Sequence, residues 1–184
     1  MNTIKTILLY IYCLPFRQLG GLVLAGTIIS LLLYCATRKR KWQRPALLVI
    51  STAYILMVVC ATLMGRGEPS ASHGVSLLPF ASYIRFAQGQ TEMLRESVMN
   101  IVFFYPLGLL LGAANLGKRR WRSAVLAVFL LSAAIELCQW CFNLGYAEVD
   151  DVMHNTLGGG LGVLVIYITE MFVGFGKFNH KHPR

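Results

Sequence analysis

Five long apolar runs alternate with short charged clusters along the chain. The runs cover residues 19–37, 45–65, 97–117, 123–143 and 152–173. A helix needs about 20 apolar residues to cross a hydrocarbon core about 30 Å thick, because each residue adds about 1.5 Å. The pattern therefore predicts five membrane-spanning helices and an all-α fold, a polytopic membrane helix bundle.

A sixth apolar run, residues 4–16, is shorter than a span and contains Pro15, which disfavours a continuous crossing helix. We interpret residues 1–18 as a short interfacial or half-inserted N-terminal helix. Two alternatives stay open, a further full crossing and a signal peptide. The signal peptide is the weaker of them, because Phe16 and Arg17 stand where small residues are expected before cleavage.

The connection at residues 66–96 is long for a loop between membrane helices, and its second half is apolar and aromatic. Loops of this length are often functional. Phe80, Tyr83 and Phe86 are expected at the level of the lipid headgroups, where aromatic rings are enriched. The sequence thus predicts an outer loop that lies on the membrane surface or dips back into the protein.

The positions of the basic residues set the expected orientation. Of the 17 Lys and Arg residues, 12 fall in residues 38–44, residues 118–122 and the basic tail at residues 176–184. Positively charged loops stay in the cytoplasm, so the C-terminus is expected inside and the 66–96 loop outside. Because 56% of the residues are hydrophobic and 14% charged, the composition excludes a soluble domain. The net charge of +9 is accordingly a topology signal, and no nucleic-acid partner is expected.

Two predicted helices carry polar side chains that are costly inside a membrane. Glu136 and Gln139 share one face of the fourth helix. Asp151 and Asn155 share one face of the fifth, and a GxxxG pair that begins at Gly158 continues this face. Such small residues let a neighbouring backbone approach closely. These polar side chains are therefore expected to face the bundle interior.

Three carboxylates cluster at the start of the fifth helix, at Glu148, Asp150 and Asp151. Acids at a helix start accept hydrogen bonds from its free amides and complement its dipole. Capping accounts for Asp150 or Asp151 but not for all three carboxylates. The excess points to a functional site.

We predict one ligand-binding pocket at the outer ends of the helices. Its expected members are charged and amide side chains, namely Arg66, Asn100, Glu136, Gln139, Glu148, Asp150, Asp151 and Asn155. Arg66 is the expected counter-charge, because an arginine paired with a carboxylate keeps its geometry when partly buried. No cofactor is expected.

Ordered motifs across more than half of the chain resemble the VanZ-like family of membrane proteins. They are Thr62, Leu63 and Arg66, LPF at residues 78–80, NI at residues 100–101, FYPLG at residues 104–108, Glu136 and Gln139, EVDD at residues 148–151, and NTLG at residues 155–158. The resemblance implies a VanZ-like transmembrane domain over residues 19–175 in a bacterial cell membrane, and the distribution of Lys and Arg places the acidic site on the extracytoplasmic side.

One position departs from the family pattern. Relatives often carry an arginine a few residues before the acidic group, whereas residues 142–147 contain none. The role of that arginine is therefore absent in this chain or falls to Arg66 or Arg85.

For function, the resemblance implies a link to low-level resistance to teicoplanin, a glycopeptide with a lipid tail. The first hypothesis is a non-enzymatic envelope protein that alters how a lipoglycopeptide or a lipid-linked cell-wall precursor engages the outer leaflet. The expected partners are membrane lipids and these lipid-tailed molecules, and an oligomer is compatible with the sequence.

Two alternatives stay open. One is a membrane-embedded enzyme acting on a lipid or lipid-linked substrate, with Glu136, Asp150 and Asp151 as candidate acid or base groups. Its metal version has Glu148, Asp151 and His154 as weak candidate ligands, although no metal is expected. The sequence contains no serine or cysteine nucleophile motif and no phosphate loop, so catalysis is not preferred. The other alternative is an oligomeric transporter or flippase, which also needs acids facing a cavity.

Overall fold

The computed structural model describes residues 21, 27–28, 30–32, 34–35, 42–64, 74–114 and 120–181. Its elements are α1 (Gln43–Met64), β1 (Gly74–Ser76), α2 (Ala81–Ala87), α3 (Thr91–Ala114), α4 (Arg120–Cys141), β2 (Tyr146–Glu148) and α5 (Val149–Lys181). The predicted N-terminal helix at residues 1–18 and most of the first predicted span at residues 19–37 lie outside the described residues.

Four described helices are long and apolar enough to cross a membrane. They comprise Gln43–Leu63, Thr91–Ala114, Trp121–Cys141 and Val149–Phe172. The prediction of an all-α membrane helix bundle is thereby confirmed, and the chain is a multi-pass membrane protein. The helices begin earlier than the apolar runs alone indicate, at Thr91 and Val149, because a helix can continue through polar residues beyond the hydrocarbon layer.

Glycines bring α3 and α5 into backbone contact along most of their shared length. A Cβ atom on Gly158 would overlap the carbonyl oxygen of Ile101, and one on Gly162 would overlap that of Tyr105. No other residue fits at these points. Lipid tails are as apolar as the side chains, so helices in a membrane gain stability mainly from such close packing. The predicted packing face of α5 is therefore present, and it joins α3.

The bundle core lies where α1, α3 and α4 meet. Its fully buried side chains are Val58, Phe104, Leu107, Val128 and Ile135. Beside this core, α3 contains Pro106, which has no N–H to donate within the helix. The Tyr54 hydroxyl donates to the Phe103 carbonyl at 2.9 Å, next to the interrupted turn. This contact satisfies a backbone acceptor at the place where α1 and α3 pack.

At one end of the bundle, which we call the site end, the 66–96 connection and the α4–α5 connection meet. β1 pairs in parallel with β2, with Gly74 opposite Tyr146 and Ser76 opposite Glu148. α4 ends in a Schellman arrangement, with Asn143 at a positive φ of 56° and the Leu144 N–H donating to the Gln139 carbonyl at 2.8 Å. The connection predicted as a loop thus contains a strand and a helix that dock against the start of α5.

Candidate functional site

Asp150 joins the start of α5 to α2. Its side chain is only 2% exposed. Its Oδ1 accepts a hydrogen bond from the Phe80 N–H at 2.5 Å and its Oδ2 accepts one from the Ser82 N–H at 2.7 Å. Phe80 is the N-cap residue of α2 and has no side-chain oxygen to cap it. Asp150 therefore caps a helix to which it does not belong.

Capping of α5 was considered for Asp150 or Asp151, and both carboxylate oxygens of Asp150 bind α2 instead. Phe80 adopts a left-handed conformation with φ of 63°, which turns the Phe80 and Ser82 amides toward a single point. A carboxylate has acceptor sites enough for both amides. The amides at the start of α2 therefore occupy both oxygens of Asp150.

His154 provides a second link between α5 and α2. Its Nδ1 lies 2.7 Å from the Asp150 carbonyl oxygen, which can only accept, so Nδ1 carries the hydrogen. Its Nε2 lies 2.9 Å from the Tyr83 hydroxyl. In the neutral ring, Nε2 accepts a hydrogen bond from that hydroxyl. Asp150 and His154 together hold both ends of the first turn of α2 against α5.

Glu148 and Glu136 connect β2 to α2 and α4. The Arg85 guanidinium donates to Glu148 Oε1 at 3.1 Å in a partly buried ion pair. The backbone N–H of Glu148 donates to Glu136 Oε2 at 3.0 Å. Glu136 is buried, so its cost in the bundle is offset by a hydrogen bond to the connection that precedes α5.

Three amide side chains make the remaining contacts between helices. Asn100 of α3 donates to Asp151 Oδ1 at 2.7 Å. Asn155 of α5 donates to the Ser132 hydroxyl of α4 at 2.9 Å, and Gln139 of α4 lies 3.5 Å from the Thr62 carbonyl of α1. These bonds tie α5 to α3 and α4, and α4 to α1, close to the site end.

The family model described as VanZ/LLP1 matches residues 47–170. This range contains every described contact of the site, from Thr62 to Asn155. The chain belongs to the VanZ/LLP1 family.

Among curated proteins, Protein VanZ of Enterococcus faecium is 36% identical to this chain over 73 residues. These residues are 40% of this chain and 45% of that protein, so the match spans less than half the length of the curated relative. No solved structure matches the chain significantly.

The VanZ/LLP1 chain brings together most of the side chains predicted from its sequence, but in separate pairs. Asp150 binds α2, Asp151 binds α3, and Glu136 and Glu148 meet through the backbone of β2. Arg66, the predicted counter-charge, lies outside the described residues. Arg85 of α2 pairs with Glu148. The acidic group therefore receives an arginine from α2.

The candidate metal ligands of this VanZ/LLP1 protein are not gathered as one set. Glu148 and His154 are directed to different residues of α2, and Asp151 is directed to α3. In the described part of the chain, no three His, Cys, Asp or Glu side chains are arranged to hold one metal ion. The described residues therefore provide no ligand set for the metal-dependent version of the enzyme hypothesis.

Sequence reasoning missed two partners, Tyr83 and Ser132. Tyr83 was predicted at the level of the lipid headgroups, and the bond of its hydroxyl to the buried His154 was not predicted, because no local pattern in the sequence indicates that partner. Ser132 precedes Glu136 by one helical turn, so it shares the polar face that was recognised. Extending that face by one turn would have identified Ser132.

Proposed function

We propose that this chain is a bacterial envelope protein that alters how teicoplanin-like lipoglycopeptides, or lipid-linked envelope components, engage the outer leaflet of the cytoplasmic membrane. The observation that carries the proposal is the VanZ/LLP1 match over residues 47–170. This match covers the whole described site. The sequence motifs resemble the VanZ-like family, whose name-giving member is linked to teicoplanin resistance.

The proposal requires the site end to face the outside of the cell. Basic clusters at residues 38–44 and 118–122 flank the opposite ends of α1, α3 and α4. In the basic tail at residues 176–184, Lys177 and Lys181 belong to the last turns of α5, at that same opposite end. Because such clusters stay in the cytoplasm, they support an extracytoplasmic site end and a cytoplasmic C-terminus.

The contacts of the carboxylates favour a non-enzymatic role. Both oxygens of Asp150 accept backbone N–H groups, Glu148 forms an ion pair, and Asp151 accepts from an amide. A general acid or base must reach a substrate proton within hydrogen-bond distance. Carboxylates engaged in holding helices together are poorly suited to that exchange, and this weighs against the catalytic alternative.

The test is expression in a susceptible Gram-positive host, with inhibitory concentrations measured for teicoplanin and for vancomycin. We expect the inhibitory concentration of teicoplanin to rise by at least one twofold dilution more than that of vancomycin, because only teicoplanin carries a lipid tail. Asp150→Asn, which weakens the contact between α5 and α2, is expected to reduce or abolish this difference. Glu92→Gln removes an exposed carboxylate at the start of α3 and serves as the control for lost charge.

Membrane fractions must show equal amounts of each protein. Unchanged inhibitory concentrations for both antibiotics, with the wild-type protein present in the membrane, would contradict the proposal. An equal rise for teicoplanin and vancomycin would also contradict it, since the lipid tail would then have no role.

A further inference from the structure

A groove runs along the side of α5, beginning beneath α2. It has a volume of about 670 Å³, and its walls come from α5, from Phe129 of α4, and from Phe80 and Tyr83 of α2. On α5 the lining includes His154, Leu157, Leu161 and Leu164, which recur about once per helical turn and so form one stripe. We call this space the α5 groove.

The length of the α5 groove matches one leaflet of a bilayer. From His154 to Leu164 the helix rises about 15 Å at 1.5 Å per residue, and half of a hydrocarbon core is also about 15 Å. The groove lies within the span Val149–Phe172. A molecule that fills it therefore reaches from the level of α2 to about the middle of the membrane.

Polarity changes along the α5 groove. At the α2 end, the Tyr83 hydroxyl and the His154 ring are joined by a hydrogen bond, so their polar atoms are already paired. The rest of the lining is apolar except for the Thr156 hydroxyl, which offers water a single partner. Water gains too few hydrogen bonds in such a space to be stable there. Hydrocarbon is the occupant that this lining favours.

The groove opens sideways into the lipid. Leu157, Leu161 and Leu164 are 51%, 41% and 48% exposed although they line a cavity. An occupant can thus enter from the bilayer without crossing the protein. This geometry selects a molecule that already lies among the lipids.

Gly160 forms part of the groove wall, and its lack of a side chain leaves the groove wider at this point. In the run of three glycines, a Cβ on Gly158 would overlap Ile101 and one on Gly159 would crowd Val128, but one on Gly160 would meet nothing within 4 Å. Glycine in a helix interior costs about 1 kcal/mol relative to alanine. Close packing explains the first two glycines, whereas Gly160 leaves space in the groove.

We propose that the α5 groove binds a single acyl chain of a membrane lipid from the leaflet at the level of α2. The headgroup of that lipid lies beside Phe80 and Tyr83, and its chain runs along Leu157, Leu161 and Leu164. This binding goes beyond the proposed effect on lipoglycopeptides and does not depend on it.

The test uses the full chain reconstituted in phosphatidylcholine vesicles that contain phosphatidylglycerol with a photoreactive diazirine midway along one acyl chain. After illumination, mass spectrometry locates the lipid adducts. We expect several-fold more adducts on Phe129, Leu161 and Leu164 than on Leu56 of α1, which is 60% exposed outside the groove. An even distribution over exposed side chains would overturn the proposal.

A Cβ at position 160 would meet nothing within 4 Å, so Gly160→Leu is expected to place its side chain in the groove and to lower the adducts on Leu161 and Leu164 several-fold while those on Leu56 stay constant. Ala134→Leu adds a similar bulk, one carbon less, at an exposed position of α4 outside the groove and should leave all adducts unchanged. Gly160→Ala is the smaller substitution in case the leucine variant does not fold, and it should give an intermediate decrease. Groove adducts that persist in a folded Gly160→Leu protein would also overturn the proposal.

Discussion

At the scale of single residues, Asp150 lies in the first turn of α5, yet its oxygens bind the amides of Phe80 and Ser82. α2 has seven residues, and isolated helices shorter than about 12 residues are marginal in water. The buried carboxylate supplies what Phe80 lacks as an N-cap. Together with the Tyr83–His154 and Arg85–Glu148 contacts, this side chain stabilises the segment as a docked helix.

Asp150→Asn is expected to loosen α2. An asparagine oxygen can still accept one N–H, but its NH₂ group faces the second donor, so the cap is lost at a cost of about 0.5–2 kcal/mol. Hydrogen exchange measured by mass spectrometry should show faster exchange at residues 80–87 while α3 and α4 remain protected. Glu92→Gln is the matched control and should leave exchange at residues 80–87 unchanged. Equal exchange in Asp150→Asn and the wild type would refute the capping role.

At the scale of elements, the contact between α3 and α5 depends on positions where only hydrogen fits. Gly158 faces the backbone of α3, and Gly160, two residues later, faces open space. The two positions differ by about 200° around the helix, since each residue turns about 100°. The same substitution is therefore expected to have opposite effects on stability on the two faces of α5.

Gly158→Ala is expected to destabilise the protein and Gly160→Ala to stabilise it slightly. Overpacking costs about 1–3 kcal/mol, whereas replacing a helical glycine by alanine where there is space gains up to about 1 kcal/mol. Thermal unfolding of the detergent-solubilised protein, followed by circular dichroism, should give a lower midpoint for Gly158→Ala only. Equal midpoints for the two variants would show that α3 and α5 do not touch at Gly158.

At the scale of the whole molecule, the described spans form an up-and-down bundle whose two ends differ in charge. The site end carries Glu148, Asp150, Asp151 and Arg85, and the other end is flanked by the basic clusters at residues 38–44 and 118–122. This asymmetry is the basis of the orientation proposed above.

The orientation is testable with single cysteines in a variant that lacks the five native cysteines. Gln90→Cys, between α2 and α3, should react with a membrane-impermeant maleimide on intact cells. Ser123→Cys, in the first turn of α4 and next to the basic cluster at residues 118–122, should react only after the membrane is permeabilised. The reverse result would place the site end in the cytoplasm and remove the basis for action at the outer leaflet.

The sequence predicted the long helices because crossing a bilayer imposes a length and a composition that can be counted. It also predicted that Glu136 and Asn155 turn inward, since charged and amide groups are costly in lipid. It could not predict β1, β2 or α2, which are too short for a periodic pattern and exist through long-range contacts. The partners of Asp150 depend on the left-handed turn at Phe80, which no residue type at that position indicates.

The parallel pairing of β1 with β2 also constrains the order of assembly during synthesis. Gly74 and Tyr146 meet at the same end of the bundle, so the chain must cross the membrane and return between them. α3 and α4 make these two crossings. The insertion machinery must therefore place this helical hairpin in the bilayer before the strands can pair. The groups around Asp150 and Glu148 are brought together only after α4 has been inserted.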